Sequence, residues 1–428
     1  MRKLILIVLT AIISSTIWAQ NVREELKADY DKAGSNYYAY PEPTEKLTPA
    51  PKGKKPFYIS HYGRHGSRYL IHHREYDYPY ATLMDAKRIG KLSEKGELVL
   101  QHVSLLRDEA NKRLGELTQL GAEQHQGIAR RMFERFPEVF KGDVCVDAKS
   151  TVVIRCIISM DNALHQLAAL NPRLRITSDA SEHDMYYMNL QDRKLYNKKW
   201  PQNATDAYNA YCKIHARHEE PMCRLFNDRE YAWQSINLSR LNLSMFKLAS
   251  GVQGTSFSNQ FSLFKDLYTE DELYHNWLQA NAYWYISYGP SPLNGGTQPF
   301  SQRNLLRKII SEADSCIALP RPGATLRFGH ETMVLPLTCL LGLNGFDQQV
   351  ENLDELESRG WINYKVFPMA ANLQFIFYRK NPKDDDVLVK VLLNENETTL
   401  PIPSDCAPYY HWKDFRNFYL KKLAEYKE

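Results

Sequence analysis

A chain of 428 residues with 54 Lys and Arg against 50 Asp and Glu carries a formal charge of +4, too small an excess for a nucleic-acid-binding surface. Its 43% hydrophobic and 24% charged content is that of a globular protein and excludes a fibrous or disordered chain. At this length a sizeable core can be buried, in one large or two moderate domains.

Arg2 and Lys3 precede the apolar run Leu4 to Ile13, then Ser14-Ser15-Thr16 and Trp18-Ala19-Gln20. This is the layout of a signal peptide cleaved after Ala19. Residues 1–19 are therefore expected to be removed and the mature chain exported, to a periplasm or as a secreted protein. The run is short for a membrane span, and no later stretch is apolar enough to insert stably. Seven cysteines fit an oxidising compartment. Cys212 and Cys223, in a polar stretch, are the best candidates for a pair; Cys156 and Cys339, in apolar helical patterns, read as buried thiols. No Cys-x-x-Cys occurs, so a zinc site of that type is absent.

Residues 21–55 are polar and read as an extended arm. Phe57-Tyr58-Ile59 is then β-prone and apolar, a short buried strand. It breaks into His61-Tyr62-Gly63-Arg64-His65-Gly66-Ser67-Arg68. Gly63 and Gly66 permit close approaches or backbone angles that a side chain would forbid. Arg64 and Arg68 carry fixed forks of donors suited to phosphate, and His65 between them can act as a nucleophile. Open α/β sheets bind ligands beyond the carboxyl ends of their strands, so this loop reads as an anion site. His72-His73 invites a metal reading, but adjacent loop residues seldom ligate together.

Helical periodicity runs from Lys91 to Leu120 and again through Gln124, Ile128, Met132 and Phe136. A second strand alternates over 143–148. An amphipathic helix follows through Val153, Cys156, Met160, Leu164 and Leu167, ended by Asn171-Pro172. Arg155 lies in its first turn, where the helix N-terminus is itself an anion site. Residues 173–270 show no convincing strand and read as a mostly helical cap inserted into an α/β core of 20–172 and 271–428. His215 and His218 in that segment are taken as surface residues. A second strand–turn–helix reads Ala324-Thr325-Leu326-Arg327-Phe328-Gly329-His330-Glu331. Val334 stands where a zinc protease needs its second histidine, leaving a histidine and an acid at a strand end. Residues 365–369, 373–378 and 386–393 read as strands, the last two as a hairpin, and 409–426 as a terminal helix.

Arg64-His65-Gly66-Ser67-Arg68 followed far downstream by His330-Glu331 resembles the histidine acid phosphatases, branch 2 of the histidine phosphatase superfamily. Glu116-Leu117-Thr118, Arg155 with Ser159, Phe367-Pro368-Met369-Ala370-Ala371-Asn372-Leu373, Leu392-Leu393-Asn394-Glu395 and Tyr409-Tyr410-His411-Trp412 are most similar to multiple inositol polyphosphate phosphatases and histidine phytases. Two departures stand out: Tyr69 occupies a position often taken by proline, and His330-Glu331-Thr332 replaces the His-Ala-Glu common in the inositol polyphosphate branch.

The resemblance implies a doubly wound α/β fold, a mixed sheet flanked by helices with a helical cap. It implies an exported phosphomonoesterase acting on inositol polyphosphates, with no cofactor and no metal, and small phosphate esters rather than nucleic acid as partners. His65 would be the nucleophile that becomes phosphohistidine, and Glu331 the proton donor. Arg64, Arg68, Arg155 and His330 would hold the phosphoryl oxygens, and Arg217, His218, Arg224 and Arg229 would reach distal substrate groups. The alternatives are a broad-range acid or sugar phosphatase with the same chemistry and a non-catalytic anion-binding module. Nothing in the sequence sets an oligomeric state.

Overall fold

A computed structural model describes residues 22–189 and 192–427; the signal-peptide expectation falls on residues 1–19, outside that range. The centre is a sheet in the order β3-β2-β4-β1-β5-β6-β7. Its strands are β1 (Lys55–Arg64), β2 (Cys145–Ser150), β3 (Arg175–Ala180), β4 (Gly323–Gly329), β5 (Asn372–Arg379), β6 (Leu388–Leu393) and β7 (Asn396–Glu397), and β8 (Tyr410–His411) pairs with β6. The first four run parallel; β5 is antiparallel to β1, and β6 to β5. Strands buried on both faces read as near-continuous apolar runs, and β4, β5 and β6 are buried at every position.

The pleat divides the core. Tyr58 and Tyr62 of β1 face one apolar layer and Ile59 the other. The Ile59 face packs against α3 (Gln119–Arg135) and α4 (Ile154–Leu170) through Ala129, Met132, Met160 and Leu164. The Tyr58 face meets a much larger helical layer, including α7 (Glu270–Tyr288), α8 (Arg303–Ile317), α9 (Glu331–Leu341) and α10 (Trp412–Glu425). Between Ala180 and Glu270 the described elements are all helical, among them α5 (Gln202–Ile214) and α6 (Leu238–Gly251). Two further helices, α1 (His73–Arg88) and α2 (Glu94–Glu109), pack against each other, and α1 also meets α6. No described helix is long and apolar enough to cross a membrane.

Several expectations need correction. β3 lies in the stretch read as strand-free; it is an edge strand, mostly exposed, so it carries no apolar alternation. Residues 365–369 are not a strand: Asn363–Val366 is one helical turn, and Phe367 to Ala371 form a turn in which Ala370 adopts φ 56°. The polar arm winds into a 3-10 segment at Tyr30–Tyr37. All seven cysteines are free thiols, so Cys212 and Cys223 are unpaired; Cys156 and Cys339 are buried, as expected.

One close approach fixes the loop after β1. A Cβ on Gly66 would sit 2.3 Å from the Gly121 carbonyl oxygen, because the start of α3 is drawn against it. Thr118, the N-cap of α3, donates backbone and side-chain hydrogen bonds to Ser67 O at 2.9 and 3.1 Å. Gly66→Ala is therefore expected to lower stability by about 1–3 kcal/mol through overpacking. Urea unfolding measures it, and an unchanged midpoint would show that the contact is not tight.

Candidate active site

The parallel register sets Arg64 opposite Gly329, so the residues that follow, His65 and His330, leave adjacent strand ends. The His65 N–H donates to Gly329 O at 2.9 Å, and His65 O accepts from the Ala370 N–H at 3.0 Å. Arg64 N–H donates to Ala371 O at 2.7 Å. The main chain of the motif is thus pinned from both sides before any side chain is considered. On the other flank of β4, Ser150 pairs with Phe328 and Thr151 N–H donates to Phe328 O at 3.0 Å, which delivers Arg155 on the first turn of α4.

These three strand ends bring the charged groups together. Arg64 Nε lies 3.0 Å from Glu331 Oε2, and His65 Nε2 lies 3.8 Å from the same oxygen. The His65 and His330 rings meet edge to face, 5.7 Å apart, and His330 Nε2 lies 3.3 Å from Thr151 Oγ1. Arg64 Nη1 donates to Phe367 O at 3.1 Å and to Asn36 O. Arg68 donates to Tyr69 O at 2.9 Å and to Tyr37 Oη at 3.4 Å. Even so, Arg64 Nη2, Arg68 Nε and Arg155 Nε are buried without a hydrogen-bond acceptor. Such orphaned donors are rare and costly; a tetrahedral oxyanion supplies the missing acceptors.

The electrostatics assign protonation states. Burial, then the charges of Arg64, Arg68 and Arg155, hold the His65 pKa well below the ordinary histidine value, so the ring is neutral. Its Nδ1–H donates to Gly66 O at 2.9 Å, which leaves the lone pair on Nε2, the atom facing Glu331. His330 is held to about 4, by burial first and by Arg155 and Arg64 against the pull of Glu331. Burial raises the Glu331 pKa, but Arg64, Arg68 and His330 outweigh it and hold the carboxyl at about 2. Nitrogen and oxygen atoms of His65, His330 and Glu331 lie within 4.8 Å of one another, a spacing that a cation could use. Three guanidiniums around them make the location hostile to one and favourable to an anion.

The structure therefore gathers Arg64, His65, Arg68, Arg155, His330 and Glu331. Of the four expected distal contacts, the three arginines pair with carboxylates. Arg224 forms a two-pronged pair with Glu272 at 2.8 and 2.6 Å, Arg229 does so with Glu220 at 3.1 and 2.6 Å, and Arg217 lies 3.5 Å from Asp271. His218 is the residue preceding the short helix Glu219–Cys223. The charges of the three arginines are thus paired within the protein. The sequence reading missed Asn36 and Tyr37, whose arm carries no motif, and Lys199. Lys199 lines a cavity of about 100 Å³ with Tyr196, Tyr288 and Thr332, the neighbour of Glu331. Its Nζ stands 3.5 Å from the Tyr288 ring centroid, has no ionic partner among the described residues, and is pushed by burial to about 8.

Comparison with known proteins places this geometry. Residues 63–394 match the model of the Histidine phosphatase superfamily (branch 2). The multiple inositol polyphosphate phosphatase of Bifidobacterium longum, solved with inositol hexasulfate, is 18% identical with a TM-score of 0.73 over 89% of this chain and 96% of that one. The phytase from D. castellii is 13% identical with a TM-score of 0.71, over 92% and 86%. Multiple inositol polyphosphate phosphatase 1 of Dictyostelium discoideum is 25% identical over 109 residues, which is 25% of this chain and only 17% of that protein.

Glu331 carries a pH signature. Its folded pKa of about 2 lies below the ordinary 4.5, so its contribution to stability is present above pH 4.5 and lost as pH falls towards 2. Glu331→Gln is expected to unfold at lower temperature than wild type at pH 6, with the gap closing as pH falls from 4.5. Melting curves across pH 2.5–7 check this; a gap independent of pH would refute the ion pair.

Proposed function

Because the chain belongs to branch 2 of the histidine phosphatase superfamily and is a phosphoric monoester hydrolase, we propose that it dephosphorylates inositol polyphosphates through a phosphohistidine intermediate. The observation that carries the proposal is the set of buried, acceptor-less guanidinium donors around a neutral His65. In this reading Arg64, Arg68, Arg155 and His330 hold the equatorial oxygens and the charge that builds on them. His65 Nε2 attacks phosphorus in line; the N–P bond forms as the P–O ester bond breaks. Glu331 gives its proton to the departing alkoxide, then takes one from the water that attacks the phosphohistidine.

A carboxyl held near 2 is a poor proton carrier in the free site. A bound phosphate supplies the physical remedy: its negative charge engages the same arginines and repels the carboxylate, which raises the Glu331 pKa. The donor is thus armed by substrate. Asn36, whose amide lies 3.5 Å from Glu331 Oε1, keeps the carboxyl directed at the ester oxygen.

The preference for a polyphosphorylated ring rests on Lys199. An ammonium boxed by Tyr196 and Tyr288, beside Thr332, with the Asp192 carboxylate of the same cavity paired to Arg303 at 2.7 Å, is placed for a second phosphate on the same substrate. The N-terminal pattern supports export of the mature chain, a proposal that N-terminal sequencing of the protein recovered outside the cytoplasm tests.

Purified 20–428 is expected to release phosphate from inositol hexakisphosphate, and His65→Ala to lose at least about 10⁴-fold in turnover. Release from aryl or sugar phosphates but not from the inositol ester would favour the broad-range alternative. Binding without release of any phosphate would favour the non-catalytic one. Lys199→Ala is expected to raise KM for inositol hexakisphosphate about tenfold, the loss of roughly 1.4 kcal/mol, and to leave 4-nitrophenyl phosphate hydrolysis unchanged. Equal effects on both substrates would remove Lys199 from the second-phosphate role.

A further inference from the structure

On the opposite edge of the molecule from the phosphate pocket in sequence terms, the link between β7 and α10 assembles a different chemistry. Ligand atoms of Asp405, Cys406 and His411 lie within 4.8 Å of one another. We propose that these three side chains form a zinc site, with a water in the fourth position, that staples the last loop of the chain to the sheet edge.

The imidazole carries the argument. His411 Nδ1 lies 2.6 Å from Asp386 Oδ1, and that carboxylate's other oxygen is held at 3.0 Å by Lys54 Nζ. With Nδ1–H donated to Asp386, the Nε2 lone pair points at Asp405 Oδ1, 3.2 Å away, and towards the Cys406 sulfur. The Cys406 thiol donates to Tyr409 O at 3.6 Å; a divalent cation would displace that proton and take the nitrogen, oxygen and sulfur lone pairs together. Two ligands bonded to one tetrahedral zinc at ordinary N and O distances are about 3.3 Å apart, which the Nε2–Oδ1 spacing nearly matches. The short Nδ1 contact, by contrast, is that of a charge-assisted hydrogen bond. A carboxylate on the far nitrogen of a ligating histidine is the usual outer shell of zinc sites and fixes the tautomer. A mixed sulfur, nitrogen and oxygen set selects zinc over magnesium or calcium.

The backbone is preset for this. Tyr409 N–H donates to Cys406 O at 3.0 Å, turning the chain so that residues 406 and 411 approach. Ser404 Oγ accepts from the Cys406 N–H at 3.1 Å. His411 is anchored by its β8 pairing with Leu388, and Trp412 N–H donates to Val387 O at 2.8 Å. Asp405 and Cys406 are adjacent, a pair that seldom ligates together by itself; here the turn from 406 to 409 returns His411 to both of them.

Cobalt(II), a spectroscopic substitute for zinc, is the probe. The titration uses the His65→Ala chain, because His65, His330 and Glu331 are a competing cluster. A near-ultraviolet thiolate-to-cobalt band is expected, displaced by one equivalent of zinc and absent in Cys406→Ser. His411→Ala should weaken zinc binding at least tenfold, and Asp386→Asn, which touches no metal, by about 10–100-fold. Zinc should raise the melting temperature of the parent and not of Cys406→Ser. Hydrolysis of 4-nitrophenyl phosphate by Cys406→Ser in the otherwise native chain reports that the variant folds; if it does not, His411→Gln takes its place. Absence of the band, its persistence in Cys406→Ser, or an Asp386→Asn affinity equal to the parent's would overturn the site. In that case His411 is simply a protonated bridge between two carboxylates.

Discussion

The structure is organised around a concentration of positive charge in a place with little water. Arg64 is fully buried, Arg68 nearly so, and Arg155 converges on them, with Glu331 as the one carboxylate in contact. Burying charge without full pairing is expensive, and it persists only where the surroundings leave the groups no escape. The surroundings here are main chain: β4 and the Phe367 to Ala371 turn clamp His65 by its N–H and its C=O. Ser159 Oγ accepts from Gly66 N–H at 3.1 Å, and Gln124 Oε1 from Ser67 N–H at 2.9 Å. A loop tied at this many points cannot rotate its guanidiniums outward to find water. Because the donors are fixed in advance, they cost no reorganisation when an oxyanion enters.

The same charge explains why the histidines are useful. In water an imidazole is partly protonated near neutrality and then has no lone pair to offer. Beside three guanidiniums the protonated form is suppressed, and the Gly66 carbonyl selects the tautomer with Nε2 bare. Activation of His65 thus needs no neighbouring base. What the arrangement lacks in the free state is a protonated acid, since the field that bares Nε2 also ionises Glu331.

Much of this frame was legible in the sequence, for reasons that can be named. β1, β2 and β4 are short apolar or alternating runs that end in turns, glycine-containing at β1 and β4 and Lys149-Ser150-Thr151 at β2, and central strands of a parallel sheet announce themselves in that way. The candidate site residues lie at or just after those ends, so finding the strands located the cluster. β3 was invisible because an edge strand need bury little. Residues 365–369 have strand-like composition but were recruited to buttress His65, a demand set by residues 300 positions earlier. The distal contacts were read from cationic character alone. Arg224 and Arg229 look no less basic than Lys199 in the sequence; what separates them is whether Glu272 or Glu220 reaches them across the fold. Partnering between distant charges leaves no local signal.

This contrast separates two properties of the site. The reactive groups hang on the sheet and on the first turns behind it, positioned by backbone hydrogen bonds that any suitable side chains would permit. The walls come from the helical layer, through aromatic packing that is specific to this chain. Trp284 of α7 packs tilted against Tyr288 at 5.3 Å and meets Phe367 at 4.8 Å; Tyr288 in turn carries Lys199. Phe367 closes the circuit, since its carbonyl accepts from Arg64. A shift of α7 would therefore move Lys199 and strain Arg64 together. Chemistry fixed by backbone and shape fixed by side-chain packing can diverge at different rates, and that is why one motif announces a phosphatase while the choice of ester has to be read from the helices.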